Sequence, residues 1–174
     1  AIREREQRAA SAILGVEDVR FLDGWSDGWL EPSWDLQRAI VEVIRDVAPR
    51  RVLCQSPQRI FQRLQASHPD HLAAGEATVR AVYPAAENPY AWPEMVDAGR
   101  GPCKVTELWL MAHLDSSHTV DITDRFDRKI GAVDFGAIDL PDTGTLPIGV
   151  EGGSRADGAR KRQRPRTAIT PPGP

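Results

Sequence analysis

Apolar positions along this chain switch between two periods. Leu36, Ile40, Val43, Ile44 and Val47 recur at the spacing of one helix face, and Pro49 closes that segment. Arg51-Val52-Leu53-Cys54 follows as a compact apolar run of the kind found in buried parallel strands. Upstream, Glu4 to Leu14 is charged and alanine-rich, which predicts a helix ended by Gly15, and Val19 to Leu22 reads as a short strand. Downstream, the sequence predicts a helix over 70–83, a loop marked by Pro84, Pro89, Pro93 and Pro102, and a strand over 105–111. Strand, helix and strand in this order predict an α/β layer fold with a mostly parallel sheet.

The pattern changes near residue 130. A helix through Asp127-Arg128-Lys129-Ile130 runs into Gly131, and residues 141–174 hold six prolines (Pro141, Pro147, Pro165, Pro171, Pro172 and Pro174) with many glycines. So few large apolar side chains cannot offset the entropy of ordering. The expected organisation is one domain over 1–130 and a disordered, Gly/Pro/Arg-rich tail over 131–174. The tail's basic run, Arg160 to Arg166, has no interleaved aromatic residue, and the whole chain carries a net charge of -3, so no nucleic-acid partner is expected.

Composition sets outer bounds. A length of 174 residues at 41% hydrophobic and 27% charged suits a single domain with a water-compatible surface. No apolar run approaches the ~18 residues of a membrane span, and Ala1-Ile2-Arg3-Glu4 is unlike a secretory leader. Cys54 and Cys103 lack the paired spacing of a redox or metal motif, which predicts free thiols in a reducing compartment, hence a cytoplasmic location.

The chemistry is concentrated in Ser67-His68-Pro69-Asp70-His71. Proline suits the first position of a helix, so His68 falls at the cap and His71 in the first turn, with both rings able to face one cleft. The positive end of the helix dipole disfavours protonating His71, which suits an imidazole meant to bind metal. Asp70 is placed to orient a neighbouring imidazole as an acceptor. A capped helix start with exposed rings explains the same string, so both readings stay open at this point. Gln55 to Gln58 lies just past a strand's carboxyl end, where open α/β sheets form their ligand crevice, and it leads into the histidines.

Further segments carry a resemblance. Ala9 to Leu22, Asp27-Gly28 with Leu30 following, Ser67 to Glu76, and Val120 to Asp124 with Phe126 to Lys129 resemble, in order, the LmbE-like or PIG-L family of zinc-dependent N-deacetylases. The resemblance runs from about Ile2 to Ile130. It implies a Rossmann-like domain that hydrolyses the acetamide of a small N-acetylglucosamine-type sugar or glycoconjugate with one Zn2+. It further implies His71 as a metal ligand, His68 as the group that meets the oxyanion or protonates the leaving amine, Asp70 as its support, and Asp27 and Arg3 as substrate contacts. Oligomeric state is not implied.

The family's other motif, a His-Pro-Asp-Asp segment that supplies two ligands and the general base, has no counterpart here. The fold is therefore expected to be incomplete at the N-terminus. The alternative to an N-deacetylase is a catalytically inactive family fragment with at most a binding role. A third reading, an unrelated metal module joining His68 and His71 to His113 or His118, is weaker, because those two histidines read as ordinary loop residues. Asp27-Gly28 also reads as a plain turn, and Arg3 as a solvated helix charge. Most of Trp25, Trp29, Trp34, Trp92 and Trp109 are expected to pack rather than to stack on a sugar.

Overall fold

The computed structural model describes residues 2–135; the expected tail from residue 136 onward, with its basic run, lies outside the described residues. Two strands, β1 (Arg51–Gln55) and β2 (Glu107–Met111), pair in parallel, with Arg51 opposite Glu107 and Gln55 opposite Met111. The helices are α1 (Ile2–Leu14), α2 (Trp34–Val47), α3 (Pro69–Arg80), the short α4 (Pro93–Asp97) and α5 (Phe126–Phe135). The chain is thus mixed α/β, with α3 and α4 lying between its two parallel strands.

The best-formed helix shows why its sequence folds as it does. Ser33 caps α2 by accepting the Leu36 amide at 3.2 Å, and Ala48, left-handed at φ 46°, closes it by donating to Ile44 O at 2.8 Å. Its apolar face buries Val41 and Ile44 against Ala81, Val82, Ala85, Ala86, Met95 and Val105. Full burial of such a side chain contributes roughly 1.5–3 kcal/mol. Arg45, on the same helix and buried, donates to the carbonyls of Ala85, Ala86 and Asn88, which fixes the irregular turn after α3.

Helix α3 lies directly on the end of β1. A Cβ at Gly75 would collide with the Gln55 carbonyl, so only glycine permits this approach. The helix ends at Arg80 rather than at 83, because Tyr83 precedes Pro84 and is extended (φ -144°, ψ 130°).

Three expectations are corrected. Val19 to Leu22 forms no strand: this segment runs along α1, where Arg8 donates to Val19 O at 2.9 Å and lies 5.0 Å from the Phe21 ring centroid. Pro93 starts α4 inside the expected loop. Helix α5 does not stop at Ile130 but continues through Gly131 to Phe135, because it packs along α1 and a Cβ at Gly131 would lie 3.9 Å from Ile13.

Candidate active site

The site is built where β1 hands over to α3. Beyond Gln55, the Ser56 amide donates to Met111 O at 2.9 Å, and the Ser56 hydroxyl accepts the Gln58 amide at 3.2 Å. Ser67, almost fully buried, accepts the Ile60 amide at 2.7 Å. These bonds fix both ends of the connecting loop and deliver His68 to the cap of α3.

His68 is extended (φ -58°, ψ 133°), and its Nδ1 accepts the Asp70 amide at 3.2 Å, with Pro69 at the first helical position. A ring nitrogen that accepts carries no proton, so the neutral ring holds its hydrogen on Nε2. The ring of His71 stands 5.5 Å from that of His68, tilted by 50°. The two imidazoles therefore share one location.

Asp70 departs from its expected role. Its carboxylate accepts the Gly28 amide at 2.6 Å and the Leu30 amide at 3.2 Å, and the Asp27 side chain lies alongside. The Gly28 amide, aided by the Leu30 amide and then by His68 and Asp27, holds the Asp70 carboxyl below its usual range against the opposing effect of desolvation. The hydrogen bond from Asp70 to the His68 ring comes from its backbone N–H.

His68, Asp70, His71 and Asp27 thus come together. Arg3 lies in the first turn of α1, ion-paired with Glu6 at 2.8 Å, on a helix whose main packing partner is α5. Among the described residues, no three His, Cys, Asp or Glu side chains group so as to hold a metal ion. A Zn2+ with three protein ligands does not fit these residues alone and would need donors beyond them. His113 and His118 are not drawn to the pair: His113 Nδ1 accepts the Asp115 amide at 3.1 Å, and His118 stacks on Trp109 at 4.4 Å.

The tryptophans divide. Trp92 packs on the core, and Trp109 contacts His118 and the Arg51 guanidinium, whereas Trp29 and Trp34 are 84% and 75% exposed. Trp109, His113 and His118 line an open cavity of about 880 Å³ over the sheet with Leu53 and Met111, apart from the histidine pair. Cys54 is buried and Cys103 half-buried, both unpaired, and burial pushes each thiol up. Sequence reasoning missed the Gly28 and Leu30 amides as partners of Asp70. The only local signal was the Asp-Gly turn, in which Gly28 has φ 83°.

Residues 1–82 match the PIG-L family model, described as GlcNAc-PI de-N-acetylase. The match spans 82 of the 174 residues, so the likeness to that family lies in the first part of the chain. Over 90 residues the chain is 37% identical to a probable N-acetyl-alpha-D-glucosaminyl L-malate deacetylase 2 of Bacillus anthracis, a match covering 51% of this chain and 37% of that relative. Over 107 residues it is 32% identical to a 1D-myo-inositol 2-acetamido-2-deoxy-alpha-D-glucopyranoside deacetylase 1 of Frankia casuarinae, covering 52% of this chain and 33% of the relative.

Solved structures are similar as well. The N,N'-diacetylchitobiose deacetylase of Pyrococcus horikoshii, determined with its inhibitor MPG, superposes with a TM-score of 0.71 at 25% identity over 81% of this chain and 51% of its own. A conserved protein of Thermus thermophilus gives 0.62 at 27% identity over 78% of this chain and 57% of its own. The chain spans about a third of the length of the curated relatives and about half of the solved ones.

Proposed function

We propose that this chain serves the hydrolytic N-deacetylation of an N-acetylglucosamine-type sugar or glycoconjugate, with His68 donating to the amide oxygen as negative charge develops there. The observation that carries the proposal is the acceptance of the Asp70 amide by His68 Nδ1, which leaves Nε2–H as the outward donor. Such a preorganised donor lowers the barrier because it strengthens its bond only as the oxyanion forms. Support comes from relatives named as deacetylases of N-acetylated glucosamine compounds, which do not favour the inactive-fragment reading.

His71 is the imidazole this chain offers to a metal, and Zn2+ is the ion the family resemblance implies. Asp27 stands beside Asp70 and within the same cluster, which suits a sugar contact; Arg3 is the weaker candidate because Glu6 already engages it. A Rossmann-like layering of the domain over residues 1–130 belongs to the same proposal, as does a cytoplasmic location, for which the two unpaired cysteines are the support. No helix among the described residues is long and apolar enough to cross a membrane.

The testing experiment is incubation of the protein with an N-acetylglucosamine glycoside and zinc, followed by measurement of free amine and acetate. Equal release of both is expected. Release of neither contradicts the proposal.

A further inference from the structure

The two functional groups of Asp70 do separate jobs. Its backbone amide holds the His68 ring, a bond that any residue except proline would supply at this position. Its carboxylate turns to Gly28 and Leu30, 42 and 40 residues earlier in the chain. Hydrogen bonds to an ionised acceptor are stronger than neutral ones, and this carboxylate accepts two from adjacent parts of one turn.

That turn has little else to hold it. Residues 16–33 form no helix or strand, Trp29 is 84% exposed, and a 3.2 Å bond from the Trp29 amide to Ser26 O closes the turn on itself. Gly28 adopts φ 83°, a left-handed conformation that brings its N–H onto the Asp70 oxygen without strain.

We infer that Asp70 is a positioning residue whose carboxylate fixes the Asp27–Leu30 turn against the start of α3, setting where Asp27 and Trp29 stand relative to His68, and that the carboxylate itself makes no hydrogen bond to the histidine. The sugar-facing role of the turn rests on the deacetylase proposal. The positioning itself does not.

The two possible roles of Asp70 separate in one experiment on the full chain: amide hydrogen exchange and imidazole 15N spectra of the wild type, Asp70→Asn and Asp70→Ala. In Asp70→Ala, exchange at Gly28 and Leu30 rises about tenfold or more, because a local opening loses its restraint without global unfolding. The rise is smaller in Asp70→Asn, which keeps one acceptor oxygen. Ala77 in α3 and Ile44 in α2 retain their protection, and His68 retains its proton on Nε2. If Asp70→Ala loses protection at Ala77 and Ile44 as well, the comparison is made on Asp70→Asn. Unchanged exchange at Gly28 and Leu30 overturns the inference, and so does a His68 ring that moves its proton to Nδ1. A wild-type chain that hydrolyses no N-acetyl sugar removes the turn's sugar-side role and leaves the exchange result standing.

Discussion

The Nδ1 atom of His68 accepts the backbone amide of Asp70 at 3.2 Å, so one imidazole both caps α3 and has its tautomer set by that cap. A helix start needs an acceptor for its free amides, and the residue meeting that need here is also the candidate acid–base group. Stability and chemistry are therefore coupled at His68. Replacing a capping side chain with alanine typically costs about 0.5–2 kcal/mol. His68→Ala is expected to fall in that range by urea denaturation, while His68→Asn, which keeps an acceptor, stays close to the wild type. Equal stability of all three proteins would mean that the ring is not a working cap.

Gly75 sits where α3 crosses the end of β1. Alanine is the better helix former by about 1 kcal/mol, which would favour Gly75→Ala on an exposed helix. Here the added methyl meets the Gln55 carbonyl, and overpacking of this kind costs about 1–3 kcal/mol. The clash should win, so Gly75→Ala is expected to lower the melting temperature. A raised one would show that α3 shifts away from the strand at little cost.

Asp46 accepts from Arg100 at 2.6 Å and from Arg20 at 3.2 Å, joining α2 to the loop after α4 and to the segment after α1. The bond from Arg100 is the chief cause that holds its carboxyl below the usual value of 3.8, with Arg20 adding to it. A carboxyl depressed in the folded state contributes stability that is fully present above its unfolded pKa and is lost as pH falls through the folded one. The stability difference between wild type and Asp46→Asn should therefore be constant near neutrality and shrink as pH drops below 3.8. These groups are partly exposed, so added salt should shrink it too. Chemical denaturation at several pH values checks this, and a difference that grows in acid would contradict it.

The parts of the fold that were legible in the sequence are those decided locally. Helix α2 declares itself through its apolar spacing and Pro49, β1 through an unbroken apolar run, and the start of α3 through Pro69. The end of α3 was equally local, since Pro84 forces Tyr83 out of helical geometry, but the expectation extended the helix to 83. What failed depends on distant partners. Val19 to Leu22 has strand-forming residues but packs beside Arg8 of α1, and α5 survives Gly131 because α1 lies against it. At the site, the adjacent residues His68, Asp70 and His71 were legible. The use of the Asp70 carboxylate was not, because its partners are some forty residues away and are backbone amides that no side-chain motif records.

The most direct test is the rate of amine release from an N-acetylglucosamine glycoside by wild type, His68→Ala and His68→Asn at matched zinc occupancy. Loss of one preorganised oxyanion donor costs about 10²–10³-fold in turnover. His68→Ala is expected to fall by that factor, and His68→Asn, which keeps both a cap and an N–H donor, by less. Unchanged turnover in His68→Ala, with wild-type protein active, would contradict the role of His68.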